Sequence, residues 1–123
     1  MADDLLARTP APPYYAVIFS SLLREAPDGY SEMAAEMEAL ARTQPGYLGF
    51  ESARGADGVG ISVSYWATED DVRAWKAISA HRDAQRQGQE RWYAHYEVRV
   101  AKVERAYAWD VKGAERAAHP HER

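Results

Sequence analysis

The spacing of apolar residues predicts two helices. Apolar side chains recur every three or four residues from Tyr30 to Ala41, and the Pro45-Gly46 pair ends that segment because proline cannot continue a helix. A second helix is expected after Thr68, whose hydroxyl can cap the first turn and whose next three residues are acids that the helix dipole favours. Its buried stripe would consist of Val72, Trp75 and Ile78.

Alternation of apolar and polar residues predicts four strands. They are expected over residues 14–21, 47–54, 60–66 and 96–109. The third strand places Ile61, Val63 and Tyr65 on one face, and a glycine-rich turn joins it to the second strand in a hairpin. The apolar phase of the last strand shifts near Val100, which predicts a β-bulge there. Residues 80–92 are polar and predict one or two short helical turns, broken at Gly88.

The resulting order, β-α-β-β-α-β, is that of the ferredoxin-like α+β fold, a four-stranded antiparallel sheet with two helices on one face. Two helices cover one face only, yet apolar residues occur on both faces, so we expect a homodimer formed through the sheet faces. The domain is expected to span residues 14–110. A disordered leader, rich in proline, would precede it at 1–13, and a flexible tail would follow at 111–123.

Composition narrows the class of protein. The chain has 123 residues, enough for one domain, and is 46% hydrophobic and 28% charged. The absence of cysteine excludes disulfides and thiolate chemistry, and no H-x-x-x-H or H-E-x-x-H pattern suggests a metal site. The net charge of −4 gives no electrostatic reason to bind nucleic acid. With no apolar run long enough to span a bilayer and no signal-peptide pattern, a cytoplasmic location is expected.

Several segments resemble the antibiotic biosynthesis monooxygenase (ABM) superfamily of dimeric α/β barrels, and together they cover roughly residues 14–109. They are residues 44–51, the Tyr65-Trp66 pair leading into 68–76, and the stretches 81–88, 92–93 and 98–105. The resemblance implies a pocket in each subunit between the helices and the sheet. It also implies several possible activities: oxidation of polyphenols with O2 without metal or flavin, haem degradation, or quinol-directed chemistry, and some members have no settled role.

The haem-degrading branch of that family carries a strand asparagine, a helix tryptophan and an iron-ligating histidine ten residues after the tryptophan. Trp75 matches the tryptophan, but Gln85 stands at the histidine position and Ser20 or Ser21 at the asparagine position. A glutamine amide is a poor iron ligand beside imidazole. The resemblance therefore favours the cofactor-free branch.

In the cofactor-free branch a tyrosine follows the tryptophan by six residues, and an arginine lies beyond. Here His81 follows Trp75 by six residues. A neutral histidine can accept the proton of a phenol, and the resulting phenolate is electron-rich enough to react with O2 without a cofactor from the protein. Arg99 or Arg91 would stabilise the phenolate.

The leading hypothesis is therefore a homodimeric, cofactor-independent monooxygenase that oxidises a small aromatic, polyphenolic or quinol substrate with O2. Trp75 would form the pocket wall and His81 would be the acid/base group. The predicted substrate-binding residues are Gln85, Arg99, Trp66 and Tyr93.

Each of these residues also has an ordinary structural explanation. Trp75 suits a helical core, His81 suits interaction with the last carbonyls of a helix, and Arg99 suits a salt bridge to Glu51 or Glu97. The alternative function is a non-catalytic, dimeric small-molecule-binding or stress-response protein. A third possibility is haem binding through His81 or His95.

Overall fold

The order of strands and helices matches the hydrophobic pattern. The computed structural model describes residues 6–25, 29–86 and 92–111, with the side chains of 83–86 excepted. Its elements are β1 (Tyr14–Leu23), α1 (Tyr30–Arg42), β2 (Tyr47–Arg54), β3 (Val59–Trp66), α2 (Glu69–Arg86) and β4 (Tyr93–Val103). The strands form one antiparallel sheet in the order β2-β3-β1-β4, which confirms the predicted ferredoxin-like α+β fold.

Both helices pack on the same face of the sheet, which we call the helix side. Trp66 at the end of β3 is fully buried there, against Ala41 of α1 and Val72 of α2. The register pairs Trp66 with Tyr15, which also packs against this core. Because side chains alternate along a strand, these pairs fix which residues of each strand share the helix side.

The opposite face, called here the open face, carries exposed apolar side chains. Leu22, Val59 and Ile61 are 39%, 50% and 50% exposed, and the β1–β3 register places all three on this face. The predicted grouping of Ile61, Val63 and Tyr65 on one face is confirmed by the same register. Three large apolar side chains at one end of a sheet form a surface that would be stabilised by burial.

The N-terminal segment, residues 6–13, contacts the other end of the open face. The backbone N–H of Ala7 donates a hydrogen bond to the Glu51 carboxylate (2.9 Å), and the Tyr65 hydroxyl donates to the same carboxylate (2.7 Å). Burial, and then the hydrogen bond to Glu51, raises the pKa of Tyr65 well above its usual value, so its hydroxyl remains a donor. The described part of the expected leader therefore lies against the sheet.

α2 begins where the sequence predicts, and it extends beyond the predicted buried stripe, which ends at Ile78. The Asp71 N–H donates to Thr68 Oγ1 (3.1 Å), which confirms the predicted cap. The helix then continues to Arg86. The helical structure predicted from residue 80 is therefore confirmed as far as Arg86, where it is part of α2, and the predicted break at Gly88 lies outside the described residues.

The predicted bulge near Val100 is also wrong. The β1–β4 register is regular there and shifts only between Leu22 and Leu23, which pair with His95 and Tyr93. The apolar phase changes along β4 because the strand carries apolar side chains on both faces, with Val100 on the helix side and Ala101 on the open face. The shift in the apolar pattern of the sequence therefore arises from apolar side chains on both faces of β4, and not from the inserted residue of a β-bulge.

The bounds of β4 differ from the expected strand at both ends. It begins three residues earlier than predicted, at Tyr93, and ends at Val103. Beyond Val103 the chain to Val111 forms no further strand of the sheet, although Trp109 makes an isolated bridge. The long expected strand over 96–109 is therefore an 11-residue strand followed by an irregular segment.

Candidate functional site

An apolar strip lies on the helix side where β1 meets β4. The register pairs Val17 with Val100 and Phe19 with Val98, which puts four apolar side chains next to one another. The helices pack over β1, β2 and β3, so Val98 and Val100 are 50% and 52% exposed. We call these four residues the apolar strip. Bordered by α2, it is the kind of surface on which a flat, apolar ring is desolvated.

Aromatic side chains continue the strip toward the end of β1. The Phe19 ring stacks on Tyr96 with centroids 5.3 Å apart and meets Tyr93 edge-on at 5.2 Å. Tyr30, the first residue of α1, meets Tyr93 edge-on at 5.8 Å. We call Phe19, Tyr30, Tyr93 and Tyr96 the aromatic cluster. Tyr93, a predicted substrate-binding residue, therefore does lie on the helix side, beside the apolar strip.

Arg54 at the end of β2 lies at the same end of the sheet as the aromatic cluster, because its register partner Gly60 and the cluster residue Tyr96 both pair with Ser21 of β1. Its Nη2 donates hydrogen bonds to Ser21 Oγ (2.7 Å) and Tyr30 Oη (3.1 Å), and its Nη1 donates to the carbonyl oxygen of Gly58. The guanidinium carbon lies 5.1 Å from the centroid of the Tyr30 ring, a cation–π distance. This end of the helix side therefore combines aromatic rings with the guanidinium of Arg54. The exposed Arg24 is nearby and donates from its Nε to the carbonyl oxygen of Tyr93 (3.3 Å).

The two tryptophans that the sequence singled out lie together at the opposite end. Trp66 and Trp75 stack with their centroids 5.5 Å apart, and Tyr47 meets Trp66 edge-on at 5.8 Å. The Trp66 Nε1–H donates to Ser64 Oγ (2.8 Å). Trp66 is 0% exposed, so in this arrangement its ring is a core side chain that no ligand reaches. Trp75 is only partly buried.

Distance along β1 separates the tryptophan pair from Arg54. Trp66 is level with Tyr15, whereas Gly60, the register partner of Arg54, is level with Ser21. Six residues of strand correspond to roughly 20 Å. A small ring thus contacts one end or the other. The aromatic cluster lies at the Arg54 end, because Tyr96 is level with Ser21, and the apolar strip lies between the two ends.

His81 is exposed and lies on a different side of α2 from Trp75. Six residues of helix rotate a side chain by about 240° from the first, which leaves the two roughly 120° apart. Ala74 and Ala77 share the exposed side with His81. The neighbouring Arg82 pairs with Glu36 of α1 (3.3 Å). The predicted residue Gln85 has a side chain outside the described part of the chain.

The structure does not bring Arg99 together with Trp75. Arg99 pairs with Ile18 in the register and lies on the open face, because side chains alternate along β4 and its neighbours Val98 and Val100 lie on the helix side. Its guanidinium binds Glu97 (2.8 Å), one of the two partners proposed from the sequence. His95 and Arg99 beside Glu97 hold the pKa of that carboxyl below its usual value. Any contact between Arg99 and a ligand would therefore occur at the open face.

Sequence reasoning did not single out Arg54, Tyr30 or the apolar strip. A usable signal was present in the hairpin, because the turn at 55–58 sets the register that places Gly60 opposite Arg54. An arginine paired with a glycine on a helix-covered face is unusual enough to examine. No cluster of three potential metal ligands occurs among the described residues, and none of the described helices is apolar and long enough to cross a membrane.

Comparison with known proteins agrees with this fold. Residues 13–87 match the family model described as antibiotic biosynthesis monooxygenase. The chain is 53% identical over 102 residues to the uncharacterized protein YqjZ of Bacillus subtilis, an alignment that covers 83% of this chain and 90% of that protein.

Two solved structures share the fold at low sequence identity. SnoaB, a cofactor-independent oxygenase from Streptomyces nogalater, superposes with a TM-score of 0.61 at 16% identity, covering 77% of this chain and 97% of SnoaB. PA3566 from Pseudomonas aeruginosa superposes with a TM-score of 0.62 at 9% identity, covering 76% of this chain and 96% of that one. At these identities the structures support the fold.

Proposed function

Because the chain belongs to the antibiotic biosynthesis monooxygenase family, we propose that it is a cofactor-independent monooxygenase acting on a small aromatic, polyphenolic or quinol substrate with O2. The observation that carries the proposal is the apolar strip leading into the aromatic cluster on the helix side. Such a surface suits a flat ring, and the tyrosine hydroxyls around it suit oxygen substituents.

The chemistry would begin with the loss of a phenolic proton from the bound substrate. As the sequence predicts, His81 would accept that proton and Trp75 would lie beside the ring. Since His81 is exposed and lies roughly 120° around α2 from Trp75, it can serve only a ring that is reached from the solvent side of the helix. Hydrogen-bond donors would stabilise the phenolate, which would reduce O2 and bond to it at a ring carbon, and the resulting peroxide would take the proton back from His81. Loss of water from this hydroperoxide, with the proton of the ring C–H, would leave a quinone, so that one oxygen atom enters the substrate, the other leaves as water, and the substrate supplies the electrons.

Oxygen uptake by the purified protein tests the proposal. A panel of polyphenols and quinols is added to protein treated with a chelator, and O2 consumption is followed with an electrode. We expect at least one compound to be oxidised at a rate that scales with protein concentration and is insensitive to the chelator. No uptake above the uncatalysed rate with any compound would count against an oxygenase.

A second function, ligand binding without catalysis, is favoured by one observation. Trp75 is stacked on the buried Trp66, whereas His81 is exposed and lies on a different side of α2, so the predicted base does not share one side of that helix with the predicted pocket wall. A dimeric binding protein would use the same helix-side surface without needing a base. Binding of an aromatic compound with no oxygen uptake would support this second function.

The proposed function includes a homodimer formed through the open face. Leu22, Val59 and Ile61 would be buried against a second copy of the chain, and each Å² of apolar surface removed from water is worth roughly 25 cal/mol. We expect Ile61→Lys to shift the protein toward a monomer, as measured by sedimentation equilibrium over a range of concentrations, because the dimer would bury an unpaired charge.

Val98→Lys is the matched control for Ile61→Lys. Val98 is also 50% exposed in a strand, but it lies on the helix side. If the dimer forms through the open face, Val98→Lys should associate like the wild type. Equal weakening by both substitutions, or a wild-type protein that is monomeric at every concentration, would contradict the dimer.

A further inference from the structure

We propose that Arg54, with Ser21 and Tyr30, forms an anion-binding site that takes the carboxylate or phenolate oxygen of a planar aromatic molecule whose ring lies against the aromatic cluster. The site implies that the expected substrate carries a negative charge. That this ligand is then oxidised rests on the proposed function. Binding itself requires no turnover and is tested separately.

The partners of Arg54 distinguish it from four other arginines of the domain, and its burial distinguishes it from Arg24, which is exposed and donates a hydrogen bond to the carbonyl oxygen of Tyr93 (3.3 Å). Arg42, Arg73, Arg82 and Arg99 each pair with a carboxylate. Arg54 is half-buried, and its partners within the described residues are neutral: a hydroxyl, a phenol, a backbone carbonyl and the face of a ring. A guanidinium withdrawn from water without a counter-charge is costly, and an anionic ligand would compensate for it.

A comparison with Arg42 shows which features of its surroundings are particular to Arg54. It too approaches a tyrosine ring, that of Tyr47, with its guanidinium carbon 6.0 Å from the centroid. It is exposed, however, and its Nη2 lies 2.6 Å from Glu38, so its charge is already paired. Proximity to a tyrosine is therefore shared by both arginines, whereas the half-buried charge without an acidic partner belongs to Arg54.

The guanidinium of Arg54 retains hydrogen-bonding capacity. Its contacts with Ser21, Tyr30 and Gly58 use two N–H groups of Nη2 and one of Nη1. A guanidinium has five N–H donors in a planar fork, so among the described contacts one donor on Nη1 and the Nε–H remain available to an anionic oxygen. The carboxylate on the same hairpin, that of Asp57, instead accepts a hydrogen bond from the Val59 N–H (3.0 Å).

Glycine provides the space in which this guanidinium lies. A Cβ atom at Gly60 would be 2.5 Å from Arg54 Cζ, closer than real Cβ contacts allow. Gly60 is the register partner of Arg54, so the hairpin holds the arginine over its own glycine. The side chain is thus positioned by the turn carbonyl, the glycine and the Tyr30 ring.

The start of α1 adds to the positive potential at this site. Tyr30 is the first residue of that 13-residue helix, and Gly29 before it supplies no side-chain cap. A helix N-terminus carries a partial positive charge that favours anions. If the anionic oxygen of a ligand binds Arg54, the aromatic ring of that ligand would lie beside Tyr30. The aromatic cluster extends from there through Tyr93 and Phe19.

Binding of two probes of nearly equal shape tests the site. 2-Naphthoate is negatively charged and 2-naphthamide is neutral, and calorimetry gives the dissociation constant of each for the full chain. We expect the wild type to bind the naphthoate at least about tenfold more tightly, as hydrogen bonds to charged groups imply. Arg54→Gln should weaken naphthoate binding by about tenfold and leave naphthamide binding within about twofold.

Two further variants sharpen the result. Arg54→Lys keeps the charge but loses the planar fork, so it should retain part of the preference for the anion. Arg42→Gln removes the matched arginine over Tyr47 and should leave both dissociation constants unchanged. Circular dichroism establishes that each variant is folded, and the comparison of the two probes on the wild type alone remains decisive if Arg54→Gln does not fold.

Equal affinity of the wild type for the two probes, or no binding of either, would overturn the site. A preference for naphthoate that survives in Arg54→Gln would overturn the role of Arg54. Neither probe carries an oxidisable hydroxyl, so these outcomes do not depend on turnover. Oxygen uptake without an anion preference would reject this site alone, and an anion preference without oxygen uptake would reject the monooxygenase alone.

Discussion

Replacing Trp66 with alanine is expected to lower the free energy of unfolding by about 3–5 kcal/mol. The indole is 0% exposed and lies where both helices meet the sheet, against Ala41 and Val72. Its loss would leave a cavity, remove the stacking on Trp75 and leave the buried Ser64 hydroxyl without the Nε1–H donor. Urea unfolding followed by far-ultraviolet circular dichroism measures the change.

Trp109→Ala is the matched control for this substitution. Trp109 is 62% exposed, so its truncation should change the free energy of unfolding by no more than about 0.5 kcal/mol. Both variants are compared with the wild type at one protein concentration, because association of the chain would change its apparent stability. A loss below about 1 kcal/mol for Trp66→Ala would show that the core does not depend on this ring.

Replacing His81 with alanine is expected to lower the rate of oxygen uptake by about 100-fold or more, because a general base contributes a factor of that order. The expectation follows from the proposed role of His81 as proton acceptor for a phenol that approaches the solvent side of α2. Initial rates at saturating substrate, measured across the pH range, separate loss of the base from loss of binding.

His95→Ala is the control for this second prediction. His95 is also exposed, but it lies on the open face and contacts Glu97 (3.0 Å). We expect its replacement to leave the rate within about twofold of the wild type. An unchanged rate in His81→Ala would remove His81 from the mechanism and would leave the base to be sought among the other groups around the apolar strip.

The sequence predicted the fold because local signals and tertiary structure agree in most of this chain. Thr68 caps α2 as its position indicates, and the hairpin between β2 and β3 has the register that its turn dictates. The C-terminal end of α2 could not be predicted from such local signals. Residues 80–86 have no apolar stripe, yet they remain helical as a continuation of a helix already nucleated by the packing of Val72 and Trp75.

The candidate site was harder to predict because it depends on which face each strand residue occupies. Arg99 is selected by the family resemblance, whereas the register places it on the open face, away from Val98 and Val100 on the helix side. The spacing of Trp75 and His81 matched a family pattern along the chain, although helical geometry separates the two side chains around α2. The hairpin indicates the pairing of Arg54 with Gly60, but its contacts with Ser21 and Tyr30, which are distant in sequence, emerge only from the folded structure.

The proposed function requires the helix side of the sheet to bind and oxidise an aromatic substrate. To test this, initial rates of oxygen uptake are compared between chelator-treated wild type and Val98→Trp, in which an indole would fill the exposed apolar strip beside Phe19. We expect uptake by the wild type and a loss of at least about tenfold in Val98→Trp, with an unchanged fold by circular dichroism. Equal rates in the two proteins, or no uptake by the wild type with any polyphenol or quinol, would contradict it.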